Sequence, residues 1–332
     1  MKSILMGGAR TLQVYSPDLV DMLEQCAGLD PRVYTKEELL EHPALCRDAD
    51  YIFSTWGMPV FSEAEIDDLF PVLKAVFYGA GSVQKFARPF LNKGIAVFSA
   101  WAANAVPVAE YTVSQIILAN KGYFQTCAGY RGPENRKEMS ERFRQYPGNY
   151  GCRVGIVGAG MIGRMVMERL RQFRLDVLVY DPYFPAEKAK ELGATPASLE
   201  EIFSTCQTIS NHVANIPATV GMYHYGLFSK MKPYATFINT GRGAQVVEAD
   251  LARAMEEVPT RTAVLDVTYP EPPQPDCPLL GLPNVFFTPH IAGSAGDEVC
   301  RMGEFMLDEF RRYTSGEETR YQVNLKMLET MA

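Results

Sequence analysis

Paired cysteines are the first thing missing. The seven cysteines, at positions 26, 46, 127, 152, 206, 277 and 300, are odd in number, widely spread and never in a Cys-x-x-Cys pair, so neither a disulfide framework nor a zinc knuckle is indicated. Reduced, structural thiols and no metal site are the expectation. An excess of positive charge is missing too: 32 Lys and Arg against 39 Asp and Glu leave a net charge of -7. That is the wrong sign for a protein that lives on phosphate backbones or anionic lipid, so neither nucleic acid nor membrane is expected as a partner. No stretch approaches the roughly 20 uninterrupted apolar residues of a spanning helix. The N-terminal run breaks into Gly7-Gly8 after three apolar positions, too short for the apolar region of a signal peptide. A cytoplasmic location is expected.

What is present is a large supply of core. Apolar residues make up 47% of the 332 and charged residues 21%; at roughly 100 to 200 residues per domain, that length predicts about two domains. Short apolar runs at Ser3–Met6, Ala49–Phe53, Leu73–Phe77 and Ile95–Phe98 read as strands, with helices over Pro17–Ala27, Glu63–Phe70 and Val83–Leu91 between them. Such alternation implies parallel sheets with crossovers. The apolar stretch Val106–Ala119 reads as a buried helix capped by Asn104, with Pro107 in its first turn. The polar segment Arg131–Gly148 reads as an exposed connection or arm. Six further strands are expected at Arg153–Val157, Val177–Tyr180, Thr208–His212, Thr236–Asn239, Ala263–Val267 and Val285–Thr288, enough for a full dinucleotide-binding sheet.

The first of these six runs straight into Gly158-Ala159-Gly160-Met161-Ile162-Gly163. In a Gly-x-Gly-x-x-Gly turn the first glycine permits the tight bend, the second lets the backbone approach a pyrophosphate, and the third lets helix and strand pack closely. The free amides around Met161 and Ile162, at the positive end of the following helix, suit an anion. Helical spacing of Ile162, Val166, Leu170 and Phe173 supplies that helix, and the next strand ends in Asp181, about 20 residues on, as expected for the acid that binds ribose hydroxyls. A carboxylate there repels a 2′-phosphate, so NAD is favoured over NADP.

Three later segments place polar residues just after apolar strands, where open parallel sheets collect ligands. Arg242 stands between Gly241 and Gly243, with a clear path for its planar fork to hold a carboxylate. Asp266 and Glu271 follow the strand at Ala263, and His290 follows the strand at Val285. Reduction of a 2-keto acid needs a proton donor as alkoxide charge develops, which histidine supplies near neutral pH; a carboxylate beside it favours imidazolium and orients the ring. Of the four histidines, His42 and His224 are read as ordinary surface or core residues.

In these segments, Gly158–Gly163, Asn239–Gly243, Leu265–Pro272 and Pro289–Gly293, the chain resembles the D-isomer-specific 2-hydroxyacid dehydrogenases, in that family's order and at about its spacing. Asn104-Ala105, Val108–Glu110 and His212–Thr219 are weaker matches, and the likeness covers roughly residues 50 to 315. The resemblance implies that Arg242 binds the substrate carboxylate, that His290 is the general acid/base with Glu271 as its partner, and that Asp266 lies by the nicotinamide. It places His212 and Thr240 near the cofactor. It also puts the substrate carboxylate at the loop Tyr78-Gly79-Ala80-Gly81-Ser82, whose amides can bind an anion. The family commonly has an Asp just after this loop, where this chain has Val83-Gln84-Lys85, and many members carry an arginine where Met161 stands. Trp56 and Trp101, with Tyr78, are expected to wall a pocket for an apolar or ring-bearing keto acid.

The architecture implied is two doubly wound α/β domains. A flavodoxin-like substrate domain comprises residues 1–103 and 295–332, a Rossmann NAD-binding domain residues 104–294, and the active site lies in the cleft between them. A homodimer through the Val106–Ala119 helix and the arm after it follows from the same likeness. Two other readings are weaker. A non-enzymatic, NAD-responsive corepressor on this scaffold would not need Arg242, Glu271 and His290 together, and a formate dehydrogenase would have Gln in place of Glu271.

Overall fold

A computed structural model describes residues 1–329, so the last three residues of the expected 295–332 segment lie outside the described residues. The chain divides into two compact units, Met1–Ala105 with Ser294–Ala332, and Val106–Gly293. In chain order, the first unit begins with strands β1 (Ser3–Met6), β2 (Leu29–Tyr34), β3 (Tyr51–Ser54), β4 (Ala75–Tyr78) and β5 (Ala96–Ser99). The second unit holds β6 (Tyr150–Val157), β7 (Arg174–Tyr180), β8 (Ala194–Pro196), β9 (Thr208–Asn211), β10 (Thr236–Asn239), β11 (Thr262–Leu265) and β12 (Val285–Phe287). The short β13 (Gln322–Val323) returns antiparallel to β5.

The six-stranded sheet has the order β13-β5-β4-β3-β1-β2 and the seven-stranded sheet β12-β11-β10-β9-β6-β7-β8. Both are doubly wound: in each, the first strand of the unit is internal and the chain later crosses to its other side. Every residue of β1, β3, β4 and β5 is buried, which is what near-continuous apolar strands accomplish when helices cover both faces. Stacked rings fill the first core; Phe77 lies 5.2 Å from Phe53 and 4.8 Å from Phe98. Helices Lys36–Glu41 and Glu63–Leu69 each start on a capping box, from Thr35 with Glu38 and from Ser62 with Glu65. No helix among the described residues is long and apolar enough to cross a membrane.

Several expectations are corrected. The long helix spans Trp101–Asn120, so Asn104 and Pro107 lie inside it. The alanines 102, 103 and 105 extend it backwards as strong helix formers, and the Asn104 side chain instead accepts a hydrogen bond from Ser294 N at 3.0 Å. Trp101 accordingly begins this helix. Within Arg131–Gly148, residues Arg136–Phe143 form a helix that seats Met139 against Gly129, where a Cβ would lie 2.8 Å from its sulfur. The helix expected at Val83 begins only at Ala87. Strands β2 and β8, both unforeseen, are sheet edges containing Pro31 and Pro196, and proline is confined to such positions because it donates nothing to the ladder.

Candidate active site

Six strands of the second sheet end in register. Phe287, Leu265, Asn239, Asn211, Val157 and Tyr180 are successive partners across it. The residues that follow therefore emerge side by side along one edge, in the order Thr288, Asp266, Thr240, His212, Gly158, Asp181. Strand β6 lies between β7 and β9, where the winding reverses, and this switch point is where open α/β sheets bind ligands.

The three glycines after β6 have different physical reasons. Gly158 has φ 96°, and a Cβ on it would lie 2.6 Å from the His212 carbonyl carbon. On Gly163 a Cβ would meet Gly158 O at 2.0 Å. On Gly160 it would meet nothing within 4 Å. Packing within the protein thus demands the first and third, while the second bares backbone to open space at the start of helix Met161–Leu170. No side chain caps that helix, and its first-turn amides have no helical acceptor. This cradle fits the pyrophosphate of a dinucleotide. Asp181, at the end of β7, accepts from Ala159 N at 2.7 Å and from Tyr183 N at 2.9 Å, leaving each oxygen a lone pair for a hydroxyl. The Met161 side chain brings no charge to this turn. His212 lies with Nε2 2.9 Å from Ser210 Oγ, and burial pushes its pKa down to about 3, so the ring is neutral at physiological pH.

Further along the edge, Nδ1 of His290 lies 2.6 Å from Glu271 Oε1, a distance at which the ring N–H donates to the carboxylate. The imidazole rides on an unusual backbone: His290 has φ 56°, held by its N–H donating to Asp266 O and Thr288 O, both at 3.0 Å. The Asp266 carboxylate, 2% exposed, accepts from Thr288 Oγ1 (2.6 Å), Ile291 N (2.8 Å) and Ala292 N (3.0 Å). It is thus the anchor of the His290 loop. Arg242 is half-buried, with Nη1 donating to Gly241 O at 2.8 Å; burial lowers its pKa and the nearby Glu271 opposes that. Its flanking glycines are required by close packing: a Cβ on Gly243 would sit 2.0 Å from the Thr268 carbonyl carbon, and one on Gly241 2.7 Å from the side-chain Nδ2 of Asn211. Thr240 is buried, its hydroxyl 3.2 Å from that of Thr112.

A set of buried amides beneath this turn escaped the sequence reading. Asn211 Nδ2 donates to Asn239 Oδ1 (2.8 Å) and Gln245 Oε1 (2.6 Å), and Tyr223 Oη donates to Asn211 Oδ1 (2.7 Å). Asn239 Nδ2 then donates to Arg242 O at 3.1 Å, and Gln245 Nε2 to the carbonyls of Val213 and Ala214. The available signal was two strands of the same sheet each ending in asparagine, at 211 and 239.

In the first unit, the loop after β4 turns its carbonyls inward: Ser99 Oγ donates to Ala80 O at 3.0 Å and to Gly81 O. The amides of Gly81 and Ser82 have no acceptor among the described residues, which suits an anion. Gly79 packs so tightly on Val14 that a Cβ would lie 2.9 Å from its side chain. The three aromatic residues expected to wall a pocket have different neighbours. Tyr78 is buried in the core against Phe86, its pKa raised to about 12 by that burial, and Trp101 packs edge-on against Tyr321. Trp56 lies beneath Arg10.

The winding, the glycine cradle and the ribose-side acid define a protein of the dinucleotide-binding α/β class. Residues 123–292 match the family described as D-isomer specific 2-hydroxyacid dehydrogenase, NAD binding domain, and the chain belongs to this family. It is 31% identical over 312 residues to the D-3-phosphoglycerate dehydrogenase of Methanocaldococcus jannaschii, covering 93% of this chain and 57% of that one. It is 32% identical over 280 residues to the formate dehydrogenase of Neurospora crassa, covering 81% of this chain and 71% of that one. The chain spans about half the length of the D-3-phosphoglycerate dehydrogenases it matches, 44% and 57% for two of them. In fold it is similar to the D-mandelate dehydrogenase of Rhodotorula graminis, with TM-score 0.81, 21% identity and 97% of each chain covered.

The glycine geometry gives a test. Gly160→Ala should fold as stably as the parent yet bind NADH at least about tenfold more weakly, a loss of about 1.4 kcal/mol. Fluorescence titration and thermal unfolding check the two halves; unchanged affinity would remove this turn from the cofactor site.

Proposed function

We propose that this protein is an NAD-dependent D-2-hydroxyacid dehydrogenase, acting on the CH–OH group of a D-2-hydroxy acid or, in reverse, on the carbonyl of a 2-keto acid. The observation that carries this reading is the 2.6 Å His290–Glu271 pair on the same sheet edge as the glycine cradle, with Arg242 close enough to feel the Glu271 charge. When bound, the nicotinamide supplies or accepts the hydride.

The chain's own residues do the rest. The Arg242 guanidinium, cationic at any physiological pH, binds the substrate carboxylate and polarises the keto oxygen. The His290 imidazolium holds the proton at Nε2 that the developing alkoxide takes, while Glu271 holds Nδ1–H and stabilises the charged ring. Asp266 keeps the His290 loop in place and lies on the nicotinamide side of the row. Gly158, Gly160, Met161, Ile162 and Gly163 supply the backbone of the pyrophosphate cradle, Asp181 takes the ribose, and His212 and Thr240 line the same edge. In the first unit, the loop of Gly79, Ala80 and Gly81 turns the free amides of Gly81 and Ser82 to the substrate carboxylate. NAD over NADP is supported by Asp181 being followed by Pro182 and Tyr183, with no basic partner for a 2′-phosphate. A corepressor-like role without chemistry is not favoured, since it needs no carboxylate-paired histidine; the carboxylate at 271 likewise sets the chain apart from a formate dehydrogenase.

We also propose pairing of two copies through helices Trp101–Asn120, Tyr123–Gly129 and Arg136–Phe143. These leave Leu118, Tyr123, Tyr130 and Phe143 exposed, more apolar surface than scattered single residues explain. Light scattering at micromolar concentration should return twice the chain mass, and a monomer would refute it.

Two variants probe the chemistry. His290→Ala should lower kcat for 2-keto acid reduction about 10²- to 10⁴-fold while NADH affinity changes little; comparable kcat would take His290 out of the mechanism. Glu271→Gln replaces the carboxylate that accepts from His290 Nδ1–H, so kcat for 2-keto acid reduction should fall about tenfold or more with NADH affinity little changed. A kcat equal to that of the parent would count against the pair.

A further inference from the structure

We propose that Arg10, stacked on Trp56, selects the substrate by binding a second anionic group, a carboxylate or phosphate, at the end of the 2-keto acid remote from its reacting carbonyl. This rests on the hydroxyacid dehydrogenase reading above and names the substrate class for it.

All the observations lie in the first unit. The strand order β4-β3-β1 sets three loops side by side at one carboxyl edge: Gly79–Ser82, the loop at Trp56, and Gly7–Arg10. At about 4.8 Å per strand, the Arg10 loop begins about 10 Å from the glycine loop. The spacing is fixed from both sides. Gly8 N donates to Trp56 O at 2.8 Å, and Gly57, at φ 89°, lies so close that a Cβ on it would be 2.6 Å from Gly8 N. On the other side Gly79 N donates to Ser54 O at 2.7 Å and Thr55 Oγ1 to Gly79 O at 2.8 Å.

Onto this frame Arg10 places its guanidinium over the Trp56 ring, the central carbon 4.5 Å from the ring centroid. Its hydrogen bond within the protein is Nε to Gln13 Oε1 at 3.3 Å, and among the described residues it pairs with no carboxylate. The cation–π contact holds the guanidinium over the indole, and its outer N–H groups, which make no hydrogen bond among the described residues, can capture an anion in bidentate fashion. A substrate anchored by its carboxylate at the free amides of Gly81 and Ser82 would run across the Trp56 loop and present its far end to Arg10. The surface expected to favour an apolar group is therefore cationic.

The test follows NADH oxidation with matched substrates: 2-ketoglutarate against 2-ketopentanoate, which differ only in the terminal carboxylate, and phosphohydroxypyruvate against hydroxypyruvate for a phosphate. The parent should favour the acidic member of at least one pair about tenfold or more in kcat/KM, as one charge-assisted hydrogen-bonded contact provides. Arg10→Leu should bring that ratio close to one, chiefly through KM for the acidic member, and Arg10→Lys should restore part of it. Arg10 is exposed, and circular dichroism verifies that both variants fold. Turnover with no preference for the acidic members, or a ratio unaltered in Arg10→Leu, overturns this proposal alone. If no 2-keto acid is turned over, the dehydrogenase reading falls and this proposal with it.

Discussion

The His290 end of the second sheet's edge hangs from one buried charge. A carboxylate at 2% exposure is costly unless hydrogen bonds replace its lost hydration. Asp266 recovers them from the Thr288 hydroxyl and the amides of Ile291 and Ala292, two residues on one side of His290 and one on the other. Burial of the charge and conformation of the loop are therefore conditional on each other. That coupling sustains a non-glycine residue at φ 56°, a conformation that persists only where its surroundings over-determine it. Tyr111, from the long helix, extends the same chain of contacts, its hydroxyl 3.1 Å from Thr288 Oγ1. The direction of the His290 ring is thus an output of Asp266, and Glu271 meets a ring already aimed.

A second, separate constraint brings Arg242 to the same place. The amides of Asn211, Asn239 and Gln245 and the hydroxyl of Tyr223 form a closed polar network under the turn at 241–243; buried networks of this kind rigidify only when each member is satisfied. Gly243 then presses its Cα against the Thr268 backbone, tying the arginine turn to the segment that carries Asp266 and Glu271. Three stretches distant in sequence meet through backbone contact first and side-chain chemistry second.

These two devices also explain what could be read in advance. Central strands such as Ser3–Met6 and Thr236–Asn239 are buried on both faces, so composition alone marks them, and the glycine motif is legible because Gly158 and Gly163 answer to nearby steric contacts while Gly160 bares backbone between them. The edge strands β2 and β8 need neither apolar runs nor every ladder donor, so Pro31 and Pro196 disguise them. Asn104 looked like a cap because the alanines before it carry no periodic signal, although they are the residues that let the helix begin at Trp101. Gly241 and Gly243 were assigned to side-chain access, whereas their reason is contact with atoms of Asn211 and Thr268. Long-range contacts of that sort leave no trace in spacing. Tyr78, Trp56 and Trp101 were grouped by residue type, but each is claimed by a different neighbour: Phe86, Arg10 and Tyr321.

A parallel sheet in register makes one rule sufficient for most of the site: a polar residue just past a strand end arrives on the ligand-binding edge, however far apart the strands lie in sequence. Applied to β7 and β11, the rule selects Asp181 and Asp266 directly, and within three residues of β10 and β12 it reaches Arg242 and His290. The same rule holds for the first sheet, where β1 ends at Met6 and Arg10 follows within four residues. Gly7-Gly8 drew attention only as the break that excluded a signal peptide, but those glycines have a local structural duty. Gly7, at φ 154°, would place a Cβ 2.3 Å from Thr11 Oγ1, and Gly8 lends its amide to Trp56. They fold the chain back over the β3 loop so that the first cation after the strand comes to lie on an indole face. Side chains at these two positions would push Arg10 away from that ring, so the glycine pair and the arginine form one unit, as Gly241, Arg242 and Gly243 do on the other sheet.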